Sequence, residues 1–209
     1  MINSTELSLC LRGSREYIQG TNMLDAAMVA IACGTEARIE NLSFSIGRMT
    51  SKNLLCNWWE AGSIVADQCD SVSTFLFTST GVPYEGRLVE LEEDVKKRMP
   101  FDESVITKCC VFAPGEKRVT LAGMPLGVSP IEVLVSMNKA LHHEIYKIAS
   151  NSQWVFCRWE SSVWPLPNEL GGVILTIEQS LGIRLTRARI ECNNKLVGRM
   201  YFSAKNSEA

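Results

Sequence analysis

Tyr17-Ile18-Gln19-Gly20-Thr21-Asn22-Met23-Leu24-Asp25-Ala26-Ala27-Met28-Val29-Ala30-Ile31-Ala32-Cys33-Gly34 is the stretch on which the fold turns. From Thr21 to Gly34 a single charge, Asp25, stands in a run of Met, Leu, Ala, Val and Ile. Asn22 suits a helix start and Gly34 a helix end, which predicts a helix over Asn22–Cys33. A helix apolar on nearly every side is expected to be buried around most of its circumference. Its one carboxylate is then either a cap or a chemical group.

Outward from this helix the chain reads as strands. Thr5–Leu11 alternates loosely as a first strand, and Arg12–Gln19 is a polar loop. Ile39–Met49 and Asn53–Trp59 read as two further strands, and Ser63–Thr80 and Gly86–Leu91 as a pair around the turn Gly81-Val82-Pro83. Glu90–Ser104 is the most polar window and reads as a connection, giving a first unit over 1–98, a linker over 99–104 and a second unit over 105–209. The second half repeats the first. Gly127 followed by Glu132 and an apolar helix, Pro130–Tyr146, echoes Gly20 followed by Asp25. Gly20 maps onto Gly127, Phe44 onto Trp154 and Gly86 onto Gly198, at offsets of 107, 110 and 112 residues. Leu185–Glu191 and Lys195–Ser203 form a hairpin joined by Cys192-Asn193-Asn194. Helix then sheet in each half predicts an α+β fold in which two antiparallel sheets each wrap a central helix.

Composition narrows the partners. The chain has 209 residues, 46% hydrophobic, with 21 Lys and Arg against 23 Asp and Glu, a net charge of −2. No global positive field draws it to nucleic acid or anionic lipid, and no local basic patch is evident in the sequence. No apolar run reaches the roughly 18 residues of a membrane span, and the first residues have no signal-like pattern. The eight cysteines form no C-x-x-C pair and, with His142 and His143 the only histidines, offer no metal-ligand spacing. They read as reduced thiols of a cytoplasmic protein, with no metal and no cofactor expected.

A glycine, four residues, an acid and then an apolar helix resembles the hot-dog-fold 3-hydroxyacyl-thioester dehydratases, whose central helix opens P-G-x-x-x-x-[DE]-A. Gly20, Asp25 and Ala26 carry the pattern in one half, and Gly127, Glu132 and Val133 in the other. The family's proline is replaced by Gln19 and Leu126. The resemblance implies a tandem double hot-dog acting on acyl-CoA or acyl carrier protein substrates of fatty acid or polyketide metabolism, with a homodimer as one option for assembly. The histidine that takes the substrate's α-proton in that family, nine residues before the glycine, is absent, since Leu11 and Arg118 stand there. His142 and His143 lie about 15 Å beyond Glu132 along its helix. Three function classes follow: a dehydratase or isomerase, a thioesterase using an acid and water, or a non-catalytic binding protein.

Both acids also fit a capping box, Asn22-x-x-Asp25 and Ser129-Pro130-x-Glu132. Glu132 has the stronger capping signature; Asp25 follows a polar loop and is the better choice for chemistry, beside helix amides that would face a thioester carbonyl. Gly20, Thr21 and Tyr17 near Asp25, Gly127 near Glu132, and Arg48 and Arg158 for carrier phosphates complete the expected substrate-binding set, strand arginines being more often surface ion pairs. The five tryptophans read as core and rim, and His142 and His143 as favourable partners of a helix C-terminus.

Overall fold

The computed structural model describes residues 2–35, 38–64, 70–147, 152–166, 170–182 and 184–206. The chain divides into two compact units, Met1–Phe101 with Glu160–Pro165, and Asp102–Trp159 with Leu166–Ala209. The first contains β1 (Asn3–Glu6), β2 (Leu11–Arg12), α1 (Gly20–Thr35), β3 (Ile39–Ile46), β4 (Lys52–Glu60), β5 (Ser71–Ser79), β6 (Val82–Asp94) and β7 (Arg98–Met99). Its main sheet is antiparallel in the order β1-β4-β6-β5-β3.

Alternation sets which face of that sheet is buried. Leu54, Cys56 and Trp58 of β4 and Phe75 and Phe77 of β5 are buried, and Phe75 stacks on Phe44 at 5.9 Å between ring centroids. Across this sheet lie Met23, Leu24, Ala27, Met28 and Ile31 of α1, all at most 1% exposed. Gly86, in the middle strand β6, faces the Phe75 ring and the Asn57 carbonyl so closely that a Cβ has no room.

Several boundaries differ from expectation. The β5–β6 hairpin turns at Thr80-Gly81, with φ of 49° and 81°, the pair of positive values a two-residue type I′ turn requires. Pro83 is therefore not in the turn but in β6, opposite Thr78. β6 continues to Asp94, so the start of the polar window at Glu90 is strand, paired with β4. The expected first strand is split, its end pairing as β2 in parallel with β7. Part of the expected strand Ser63–Thr80, residues 65–69, lies outside the described residues, as does Cys69.

The second unit contains α2 (Ser104–Thr107), β8 (Cys110–Ala113), β9 (Arg118–Leu121), α3 (Pro130–Ile145), β10 (Ser152–Trp164) as far as Trp159, β11 (Ile174–Leu181), β12 (Leu185–Cys192) and β13 (Lys195–Asn206). Its sheet follows the order β10-β13-β12-β11-β9-β8. The expected β12–β13 hairpin forms and closes on Asn193 and Asn194 at φ 51° and 61°, with Cys192 not in the turn but at the end of β12, opposite Lys195. All five tryptophans are buried. The seven described cysteines are free thiols, and no described helix is long and apolar enough to cross a membrane.

Candidate functional site

The start of α1 decides what Asp25 can be. The Gln19 carbonyl accepts the amides of Asn22 and Met23 at 3.0 and 3.1 Å, so Gln19 stands at the cap and the helix begins at Gly20, two residues before the expected start. Asn22 is thus inside the first turn, and Asp25 lies in the second, where no capping box reaches it. The expected cap reading of Asn22-x-x-Asp25 is corrected on this ground. The helix amides left free by its start lie a turn or more back from Asp25, about 6 Å at 1.5 Å per residue, so they do not face its level. Asn22 has a different task. Its Oδ1 accepts the backbone N–H of Cys10 at 3.0 Å, tying the incoming chain to α1. With the oxygen so used, its Nδ2 remains as a donor, and none of the described hydrogen bonds uses it.

Asn22 and Asp25, three residues apart, share one face of α1. That face lines a groove of about 670 Å³ with Ala26, Val29, Ala30, Cys33 and Gly34, while Thr5, Glu6, Leu7 and Ser8 form the opposite wall. The helix is therefore not wrapped on most sides. Six of its sixteen residues are buried, and Val29 is 64% exposed. Uniform apolarity misled here because the outward residues are mostly small: alanines, a cysteine and a glycine leave little apolar area in water. Among the described residues lining the groove, Asp25 is the one expected site residue, and it is half-buried.

Glu132 sits elsewhere and does something else. Ser129 Oγ accepts the Glu132 amide at 3.3 Å and the Glu132 carboxylate accepts the Ser129 amide at 3.2 Å, a full capping box with Pro130 at the first helical position. Glu132 is 2% exposed. The caps of the two helices, Gln19 and Ser129, are 110 residues apart, the offset that also relates Phe44 to Trp154. Matching Gly20 to Gly127 is thus three residues out of register: Gly20 opens α1, whereas Gly127, at φ 74°, precedes the cap of α3. Asn22, not Asp25, holds the helical position that Glu132 holds.

The remaining expected residues scatter. Thr21 is buried, and its hydroxyl makes no hydrogen bond. Tyr17 is half-buried in the loop before α1. Arg48 lies beyond β3, not within it, bound to Glu90 at 2.5 Å and Asp70 at 3.4 Å; the Glu90 bond raises the arginine's pKa and lowers that of Glu90. Arg158 is inside β10, exposed, with its guanidinium 5.6 Å from the centre of the Tyr201 ring. The two arginines keep the 110-residue offset of the helix caps, but β3 ends before Arg48 whereas β10 continues through Arg158. Leu11 is buried in β2, and Arg118 opens β9 with an ion pair to Glu116 at 2.7 Å.

His142 lies in the last turn of α3, as expected, but inside the core. It is fully buried, with Nδ1 2.6 Å from the Asn138 carbonyl and Nε2 2.6 Å from Thr186 Oγ1, packed among Trp154, Tyr146 and Phe202. Burial lowers its pKa to about 4, so it is neutral at pH 7. A basic patch not evident in the sequence does form, however. The β2–β7 pairing brings Arg12, Arg15 and Arg98 together: Arg12 and Arg15 stand 5.9 and 5.7 Å from the Phe101 ring centre, and Arg98 donates to the carbonyls of Gly13 and Arg15. Glu16 faces Arg98 at 3.6 Å. Only the fold brings these two sequence segments together.

No protein-family model and no curated protein sequence matches the chain. Solved structures match it over nearly full length. The dehydratase domain of PpsC from Mycobacterium tuberculosis, in complex with C12:1-CoA, is 6% identical at a TM-score of 0.51, with 98% of this chain and 93% of that one covered. A trans-AT PKS dehydratase domain from Brevibacillus brevis is 9% identical at 0.50, covering 99% and 94%. The dehydratase domain of a mycocerosic acid synthase-like PKS is 11% identical at 0.50, covering 99% and 92%. Likeness at such identities fixes the fold. The chain is an α+β double hot-dog, two antiparallel sheets each carrying one long helix, and its resemblance to hot-dog dehydratases rests on that architecture.

Proposed function

We propose that the chain processes acyl thioesters, as a dehydratase or isomerase of hot-dog type in which Asp25 does the proton transfer that the family gives to histidine. The observation that carries this reading is the pair Asn22 and Asp25 on one face of α1 at the groove. Asn22 Nδ2 donates to the thioester carbonyl oxygen and so stabilises the negative charge that builds there when an α-proton leaves. Asp25 takes that proton from Cα. Carrying it, the same carboxylate protonates the departing 3-hydroxyl, which leaves as water as the Cα–Cβ double bond forms, and Asp25 is ionised again. With an enoyl substrate, one carboxylate moves a proton between the α and γ carbons in the same way.

Glu132 is assigned a structural part, because its carboxylate closes the cap of α3. Arg12, Arg15 and Arg98 suit the phosphates of a coenzyme A or acyl carrier protein arm. Free thiols throughout the described residues support a cytoplasmic setting. A thioesterase is the second reading, favoured by the open side of the groove at Val29, where water reaches the carboxylate.

Incubation with a panel of 3-hydroxyacyl, enoyl and acyl thioesters separates these. Hydration, dehydration or double-bond migration without thiol release is the expected outcome; free thiol favours the thioesterase, and inertness throughout favours a binding protein. Asp25→Asn keeps the shape of the side chain and is expected to lower turnover about a hundredfold, the scale of losing a general base. Full activity in that variant would remove Asp25 from the mechanism.

A further inference from the structure

Cys109 and Cys110 are the one pair of adjacent cysteines in the chain. Within a strand, neighbouring side chains point to opposite faces. This pair instead straddles the start of β8: Cys110 is its first residue, and Cys109 belongs to the turn that follows α2. The turn coils back on the helix. The Cys109 amide donates to the Ile106 carbonyl at 2.9 Å, Cys109 Sγ donates to the Val105 carbonyl at 3.4 Å, and Cys110 Sγ donates to the Ile106 carbonyl at 3.3 Å. Helix carbonyls point toward the helix C-terminus, so both thiols are drawn to the same end of α2. Their surroundings hold them there: the Cys109 carbonyl accepts the Ala122 amide at 2.8 Å, Cys110 pairs with Leu121, and Glu103 binds Lys139 of α3 at 3.0 Å. Both are half-buried free thiols.

The chemistry of the pair narrows its ligand. Burial, and then the neighbouring Cys109, push the Cys110 thiol up to about 11, so it keeps its proton at pH 7. Among the described residues no cluster of three or more Cys, His, Asp or Glu could hold a metal ion, and tetrahedral zinc needs four ligands. A ligand that fits bonds two sulfurs, brings its own third substituent and carries away the thiol protons on its leaving groups. We infer that Cys109 and Cys110 form a dithiol site for a trivalent, monosubstituted arsenical, a soft electrophile suited to sulfur. Two As–S bonds form and two As–OH bonds break, each hydroxyl leaves as water with one thiol proton, and arsenic stays trivalent.

The intact protein is treated with one equivalent of phenylarsine oxide in excess glutathione, and the adduct is located by intact and peptide mass. Glutathione, a monothiol, strips an arsenical held by one cysteine but not one chelated by two. One phenylarsenic group per chain is expected, on the peptide carrying Cys109 and Cys110, with iodoacetamide labelling of both thiols slowed at least tenfold and that of the exposed Cys33 unchanged. Cys109→Ser and Cys110→Ser are each expected to weaken retention about a hundredfold, the scale of losing one of two linked contacts, while Cys33→Ser leaves it unchanged. A serine hydroxyl still donates to the same carbonyl, and if either variant fails to fold, the adduct map of the parent decides. An adduct on other cysteines, complete stripping by glutathione, or full retention in either folded serine variant overturns the site.

Discussion

Replacing His142 tests whether a buried neutral imidazole makes this fold acid-sensitive. The ring is enclosed by Trp154, Tyr146 and Phe202, its nitrogens meet the Asn138 carbonyl and Thr186 hydroxyl, and the charged form is disfavoured further by His143. Its pKa falls from 6.5 to about 4, and burial is the main cause. Above pH 6.5 neither state is protonated at this site and it adds nothing to the pH dependence. As pH falls below 6.5 the unfolded chain takes up a proton that the folded chain refuses until about pH 4, so stability drops across that window. At about 1.36 kcal/mol per unit, the loss is roughly 3 kcal/mol over the full window and about 2 kcal/mol between pH 7.5 and 5. Urea unfolding at those two pH values, on the parent and on His142→Leu, gives the measurement. The variant loses the bond to Thr186 at every pH, so the quantity read is the change with pH and not the absolute stability. The exposed His143, also lowered by burial, is present in both proteins and cancels. The variant is expected to lose about 2 kcal/mol less than the parent on acidification. Equal losses in the two proteins would refute the burial argument.

Two further substitutions probe the frame. Gly86→Ala drives a methyl into the Phe75 ring and the Asn57 carbonyl, and since a backbone oxygen in a paired strand cannot retreat, a loss of about 3 kcal/mol is expected in denaturant melts; a loss under about 1 kcal/mol would show that β4 and β6 part easily. Ser129→Ala removes half of the α3 capping box and is expected to cost about 1 kcal/mol with turnover unchanged; a fall in turnover matching that of Asp25→Asn would return Glu132 to the chemistry.

The α+β class, the two long helices and the β12–β13 hairpin were legible in the sequence because each rests on a local signal: period, apolar run, or an Asn-Asn turn with positive φ. What was not legible depends on contacts distant in sequence. β2 is two residues long and exists because β7 lies beside it, 87 residues on at Leu11 and Arg98, and the basic patch follows from the same pairing. Short β8 and β9 carry no periodic signal of their own, and they stand because β9 pairs with β11. Pro83 suggested a turn it does not make, since a strand tolerates proline near its start.

The candidate site shows the same division within four residues. Asparagine is a favoured cap, so reading Asn22 as one is sound on local grounds, and it makes Asp25 the third residue of a capping box. The distant amide of Cys10 takes the Asn22 oxygen instead, and the Gln19 carbonyl opens the helix two residues early. Asp25 thereby falls outside the capping box. Meanwhile Glu132, three residues past a serine at the true cap of α3, stays inside one. Two acids that look equivalent in sequence are separated by a three-residue shift in helix start, and that shift leaves Asp25 facing the groove while Glu132 closes a helix end.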